Sequence, residues 1–202
     1  MKKLLIASNN KGKLVEIQAL LQDVAVELLL PVQISLNLAV KEDGQTYAEN
    51  AARKGIAFAQ ASGLLTLADD SGLEVDALSG LPGLHSARFS PIPNATDADR
   101  RAFLLKRLDG RPRPWSARFR CFVALVRPED DRVRFAEGVC EGEIIPVERG
   151  RNGFGYDPLF LVPELGRTMA ELSMAEKNRL SHRARAVRAV LPILLELLNG
   201  TP

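Results

Sequence analysis

The chain has 202 residues, of which 46% are hydrophobic and 26% charged, with a formal net charge of +2. That apolar content excludes a disordered chain, and at this length folding can bury roughly 70% of the extended-chain surface. The small net charge excludes a broad phosphate-tracking surface for nucleic acid, and no run approaches the ~20 apolar residues of a membrane span. The opening apolar run ends at Ala7, short for an export signal, so the expectation is a soluble, cytoplasmic protein with neither nucleic-acid nor membrane partners. Cys121 and Cys140 are the only cysteines; without a CxxC or His/Cys pattern they read as reduced residues in or near strands.

In chain order, Leu4 to Ala7 reads as a buried strand, and Ser8 to Lys13 as a polar connection. Leu14, Ile17, Leu20 and Leu21 then recur with helical spacing. Val24 to Leu30 is the next expected strand, Glu49 to Ala61 a helix, and Leu64 to Ala68 a strand ending at Asp69-Asp70. Another helix is expected over Asp97 to Leu108, followed by strands over Trp115 to Val126 and Val133 to Val139. Val187, Val190, Leu191, Leu194, Leu195 and Leu198 form a final helical stripe, interrupted by Pro192 and stopped at Asn199-Gly200. Strands alternating with helices predict an α/β fold, a mixed central sheet with flanking helices, over residues 1–202 as one large domain or two closely joined lobes.

Several segments carry chemistry. Ser8-Asn9-Asn10-Lys11-Gly12-Lys13 sits between a strand and a helix, where backbone donors can meet phosphate. Lys13 is the favoured anion partner, with Lys11 left to solvent; the segment lacks a Walker A pattern and also suits an ordinary capped turn. Ala68-Asp69-Asp70-Ser71-Gly72-Leu73 brings two carboxylates to the end of an apolar strand, where they can hold Mg²⁺ or take a proton from water. In an ideal strand adjacent side chains face opposite ways, so a turn is expected there. Glu42 and Glu49 are further acids that either complete the site or stay solvated. Gly153-Phe154-Gly155-Tyr156-Asp157-Pro158 combines flexible backbone with aromatics that can stack on a base or pack inside a turn. Ser86 and Arg88 mark another possible site edge. Lys177, His182 and Arg183 can balance polyphosphate charge, or belong to a solvated helix entrance capped by Ser181.

Taken together and in this order, these motifs resemble the inosine/xanthosine triphosphate pyrophosphatase family. The resemblance adds Thr46-Tyr47-Ala48-Glu49-Asn50-Ala51 and Pro82-Gly83-Leu84-His85-Ser86-Ala87-Arg88 to the segments above, and runs nearly the full chain. It implies two lobes around a substrate cleft, homodimers, Mg²⁺ dependence, and hydrolysis of ITP, dITP and XTP to monophosphates and pyrophosphate. By position it implies that Ser8 to Lys13 contact the triphosphate and that Asp70, with Asp69 beside it, is the proton acceptor. It implies Asp70 and Glu42 as metal-site acids and Ser71 close to substrate. Phe154, Gly155, Tyr156 and Asp157 are implied to border the nucleoside, Lys177 to touch phosphate, and His182 and Arg183 to recognise base or phosphate. Ser8 stands where threonine is frequent in that family, and His85 where tyrosine or isoleucine is expected.

Overall fold

A computed structural model describes residues 2–129 and 132–200. It is a mixed α/β fold. The strands are β1 (Lys3–Ile6), β2 (Glu27–Leu29), β3 (Thr66–Val75), β4 (Trp115–Val126), β5 (Arg134–Ile144), β6 (Phe160–Val162) and β7 (Arg167–Thr168). They form a mixed sheet in the order β2-β1-β3-β4-β5-β6-β7, with β1 parallel to β2 and β3, and β6 antiparallel to β5 and β7. The α-helices are α1 (Lys11–Leu20), α2 (Tyr47–Ser62), α3 (Asp97–Leu108), α4 (Met174–Leu180) and α5 (His182–Asn199). None of the described helices is long and apolar enough to cross a membrane.

The chain forms two compact units. The first comprises Met1–Asp70, Cys121–Gly138 and His182–Pro202; the second comprises Ser71–Arg120 and Val139–Ser181. In the first unit, Leu4, Ile6 and Leu67 pack with Ile17 and Leu21 of α1 and with Val187, Val190 and Leu194 of α5. On the other sheet face Leu5, Ala7 and Ala68 pack against Phe58 of α2. Parallel strands covered on both faces need apolar side chains at every position, which is why Leu4–Ala7 lacks alternation. The second unit has its own core, in which Leu73 and Val75 meet Leu104, Leu108, Phe119, Tyr156 and Phe160. There β4 alternates, with Trp115, Ala117 and Phe119 buried and Ser116 exposed.

Three strand expectations need correction. β3 does not end at Asp69-Asp70 but continues to Val75, because both acids find partners inside the protein. β5 runs to Ile144 rather than Val139, and β2 spans only Glu27–Leu29. The first helix also begins earlier than its apolar stripe, at Lys11, with Asn10 as its cap. α3 and β4 have the expected bounds, and α5 continues through Pro192 to Asn199. Both cysteines are buried, and neither is in a disulfide.

Gly138 on β5 sets how closely α5 approaches the sheet. A Cβ there would lie 2.1 Å from the His182 carbonyl oxygen and 2.4 Å from the Ala186 nitrogen, both backbone atoms that cannot rotate away. Gly138→Ala is therefore expected to destabilise the protein by about 1–3 kcal/mol, the usual cost of overpacking, read as a lower urea midpoint at unchanged slope.

Candidate active site

The first unit contains a topological switch point. β1 has β2 on one side and β3 on the other, and the chain leaves β1 through α1 and returns to β3 through α2. These helices cover opposite sheet faces, so chain ends diverge beyond the carboxyl ends of β1 and β3, where open α/β sheets bind ligands. Ser8 follows β1, and its hydroxyl accepts the Asn10 N–H at 3.2 Å. Asn10 in turn accepts the Lys13 N–H at 3.1 Å, capping α1. Ser8 is buried, Asn9 and Lys11 are exposed, and Lys13 turns inward.

Alternation along β3 gives the two acids different surroundings. Asp69 lies on the α1/α5 face and is 1% exposed. The Lys13 ammonium stands 2.9 Å from its Oδ2, and Arg183 Nε donates to the same oxygen at 3.2 Å. Burial works against ionisation here, but Lys13 and Arg183 outweigh it and hold the Asp69 carboxyl well below its ordinary value. Arg183, 1% exposed, also donates through Nη1 to Glu16, a buried acid on α1. The chain thus runs Lys13–Asp69–Arg183–Glu16, alternating in charge. The Cys121 thiol lies 3.9 Å from Asp69, and burial followed by that carboxylate pushes it up to about 12, leaving it an inert thiol.

Asp70 faces α2 and is 7% exposed. Asn50 donates to its Oδ2 at 3.0 Å, and the Asn50 carbonyl oxygen is itself held by the Gly44 N–H at 2.8 Å. Burial pushes the Asp70 carboxyl above its ordinary value, against the pull of Lys13, the Asn50 hydrogen bond and Lys54. Lys54, one helical turn beyond Asn50, is ion-paired with Glu42. Burial alone would lower the Lys54 ammonium, yet Asp69, Glu42 and Asp70 together hold it above its ordinary value. Glu49 instead caps its own helix, accepting the Gln45 N–H at 2.8 Å.

These oxygens suit a hard cation. Among the described residues no three acidic, histidine or cysteine side chains form a metal cluster. Mg²⁺ requires no such cage, because it keeps water and is typically held by one or two carboxylates together with substrate phosphates. Asp70 and Glu42, both on oxygen-only chemistry, can supply those, and Oδ1 of Asp69 is a buried acceptor without a hydrogen-bond partner.

A separate group forms in the second unit. Asp157 and Lys177 are each 4% exposed and paired at 2.6 Å. The same Asp157 oxygen accepts the Phe154 N–H at 3.0 Å, and the Lys177 ammonium lies 5.4 Å from the Phe154 ring centroid. Tyr156 donates to the Ser86 carbonyl at 2.8 Å, and the Ser86 hydroxyl accepts the Leu73 N–H at 2.9 Å while donating to the Gly83 carbonyl. Ser86 is therefore an internal tie, and Arg88 is exposed. Ser71, half-buried, begins this unit; His182, buried, opens α5 in the first.

Three participants were absent from the sequence-derived set: Glu16, Asn50 and Lys54. A signal existed for each in the helical spacing. Glu16 lies three residues after Lys13, and Lys54 four after Asn50, so each polar pair shares one helix face. Nothing in that spacing says that the face is turned inward.

Residues 4–193 match the model of the Ham1 family. The chain is 47% identical over 196 residues to a dITP/XTP pyrophosphatase of Desulforamulus reducens, covering 96% of both sequences. It is also 47% identical over 188 residues to the dITP/XTP pyrophosphatase of Geobacter sulfurreducens, covering 93% of this chain and 94% of the relative. Among solved structures, a HAM1 protein from Coxiella burnetii superposes with a TM-score of 0.87 at 41% identity, over 97% of this chain and all of the other. The Ham1 protein of Staphylococcus aureus gives 0.84 at 37% identity, over 98% and 100%.

Proposed function

The chain belongs to the Ham1 family, and on that premise we propose that it hydrolyses the non-standard purine nucleoside triphosphates ITP, dITP and XTP to monophosphates and pyrophosphate. The observation that supports the reaction class best is the divided chemistry of Asp69 and Asp70. Asp69 is held as a carboxylate between Lys13 and Arg183, whereas Asp70, on the opposite face and hydrogen-bonded to Asn50, is raised above its ordinary value by burial, which makes it the better proton acceptor of the two.

In this reading Asp70 orients the attacking water and takes its proton as the water oxygen bonds to the α-phosphorus and the bond to pyrophosphate breaks. Bound Mg²⁺, held by Asp70 and Glu42, would supply charge neutralisation for the phosphate oxygens and a lower pKa for water. Ser8, Asn9, Asn10, Lys11, Gly12 and Lys13 present backbone donors and positive charge to the triphosphate at the start of α1, where the helix dipole favours anions. Lys54 balances the acids around Asp70. Arg183 serves from behind, keeping Asp69 ionised so that this carboxylate draws Lys13 inward, and Ser71 and His182 complete the substrate-binding set.

The second unit's group reads the base. Phe154 offers a stacking face, worth ~1–3 kcal/mol per base. Gly155, Tyr156 and Asp157 border the nucleoside. Lys177, against Phe154 and Asp157, belongs with this group more naturally than with phosphate. An ammonium has donors only, so it suits the oxygen at purine position 6 and not the amino group of adenine. A homodimer in the cytoplasm is the expected state, which light scattering of the purified protein would test for mass.

Specificity constants for ITP, XTP, GTP and ATP test the substrate class. ITP and XTP are expected to exceed ATP by about tenfold or more, since an unmatched buried polar group costs ~1–3 kcal/mol. Equal constants would reject the substrate class. Hydrolysis in isotopically labelled water tests the bond cleaved: label belongs in the monophosphate, and label confined to pyrophosphate contradicts attack at the α-phosphorus.

A further inference from the structure

The backbone immediately after Phe154 is held by side chains from α3. The Gly155 N–H donates to Asp97 Oδ2 at 2.8 Å, and the Gly155 carbonyl accepts from Arg101 Nη1 at 2.9 Å. Both groups of one residue are thus gripped by a helix distant in sequence. Gly155 itself has φ +61°, a left-handed conformation that a residue with a Cβ rarely adopts. The grip is itself braced. Arg100 pairs with the other oxygen of Asp97 and donates to the Ala95 carbonyl, and Arg101 Nε donates to Glu148 at 2.8 Å. Asp97 stands at the first position of α3, where the positive end of the helix dipole favours a carboxylate. Despite partial burial, Arg100 and the Gly155 N–H keep its carboxyl below the ordinary value.

From this geometry we infer that Asp97 and Arg101 are positioning residues for base recognition: they clamp Gly155 so that the Phe154 ring is fixed against Lys177. The inference rests on the reading that Phe154 stacks on the purine. Neither residue need touch substrate. Their effect is to remove the rotational freedom of a glycine-flanked aromatic before the nucleotide arrives, so that binding does not have to supply that ordering. Without the clamp the hydrogen bonds of Asp157 to Phe154 and of Tyr156 to Ser86 still anchor the loop, so the fold persists while the ring loses its fixed place.

The test is steady-state kinetics with ITP and Mg²⁺, with inorganic tripolyphosphate as a competing ligand that has no base. Asp97→Ala is expected to raise KM for ITP about tenfold, as befits one lost charge-assisted hydrogen bond, with kcat within about threefold and the tripolyphosphate inhibition constant unchanged. Asp97→Asn retains an acceptor oxygen for Gly155 and is expected to recover most of the KM. A parallel rise in the tripolyphosphate constant, or a fall in kcat at constant KM, would overturn the clamp in favour of a general structural role. Phe154→Ala separates the two levels. If it leaves KM for ITP unchanged, the stacking reading fails and the clamp fails with it. If it raises KM while Asp97→Ala does not, stacking stands and the clamp alone is refuted.

Discussion

Asp70→Asn is expected to lower kcat by roughly 10²–10⁴-fold, the range associated with loss of a positioned general base. The substitution is nearly isosteric, and its side-chain oxygen can still accept the Asn50 amide, so the surrounding hydrogen bonds remain. What disappears is the charge and the ability to take a proton. Because burial already disfavours the ionised Asp70, neutralising it relieves a desolvation cost, and the thermal midpoint is expected to hold or rise. Activity and stability should therefore move in opposite directions. A variant that retains kcat within about threefold would remove Asp70 from the proton-accepting role, because even modest general-base catalysis exceeds that factor.

Arg183→Met is expected to have the largest effect on stability, about 3–5 kcal/mol, the range seen when one partner of a buried ion pair is removed. The guanidinium lies between Glu16 and Asp69, both buried, and methionine fills much of the volume without supplying charge or donors. Urea unfolding at neutral pH would show a lower midpoint at unchanged slope. Pairing the change with Glu16→Leu should restore part of the loss, because the double variant no longer buries that carboxylate. A loss under about 1 kcal/mol would place this network among ion pairs that contribute little.

The pH dependence supplies an independent check on the same network. Asp69 is depressed below its unfolded value in the native protein, so its stabilising contribution is complete above an unfolded pKa of about 3.9. It is lost as the pH falls from there toward the folded value, where both states become protonated. Removing Arg183 lets the folded pKa move back toward the unfolded one. The stability gap between wild type and Arg183→Met should accordingly narrow in acid below about pH 4.

Much of the architecture was open to inspection in the linear chain. The first strand, expected over Leu4–Ala7 and found over Lys3–Ile6, and the helix Asp97–Leu108 announce themselves because local patterning and tertiary packing demand the same residues there. The motifs around Ser8–Lys13, Asp69-Asp70 and Phe154–Asp157 identified the family, and with it the substrate class proposed for this chain. At β3 patterning failed because of charge. A periodicity rule ends a buried strand at Asp69, since an unpaired carboxylate does not enter a core. β3 continues because Lys13, Arg183 and Asn50, from three other elements, meet those acids within the protein.

The order of residues thus determined the α/β class, the family and which chemical groups are available. Only the tertiary structure decided which acid is locked and which is poised, because that depends on the face of β3 each side chain occupies and on the cations found there. It alone revealed Glu16, Asn50 and Lys54 as members of the network, and Asp97 and Arg101 as supports of the aromatic loop. The physical reason is that Coulomb and desolvation energies depend on distance and burial in space, and residues separated by more than a hundred positions, such as Glu16 and Arg183, carry no local sign that they will touch.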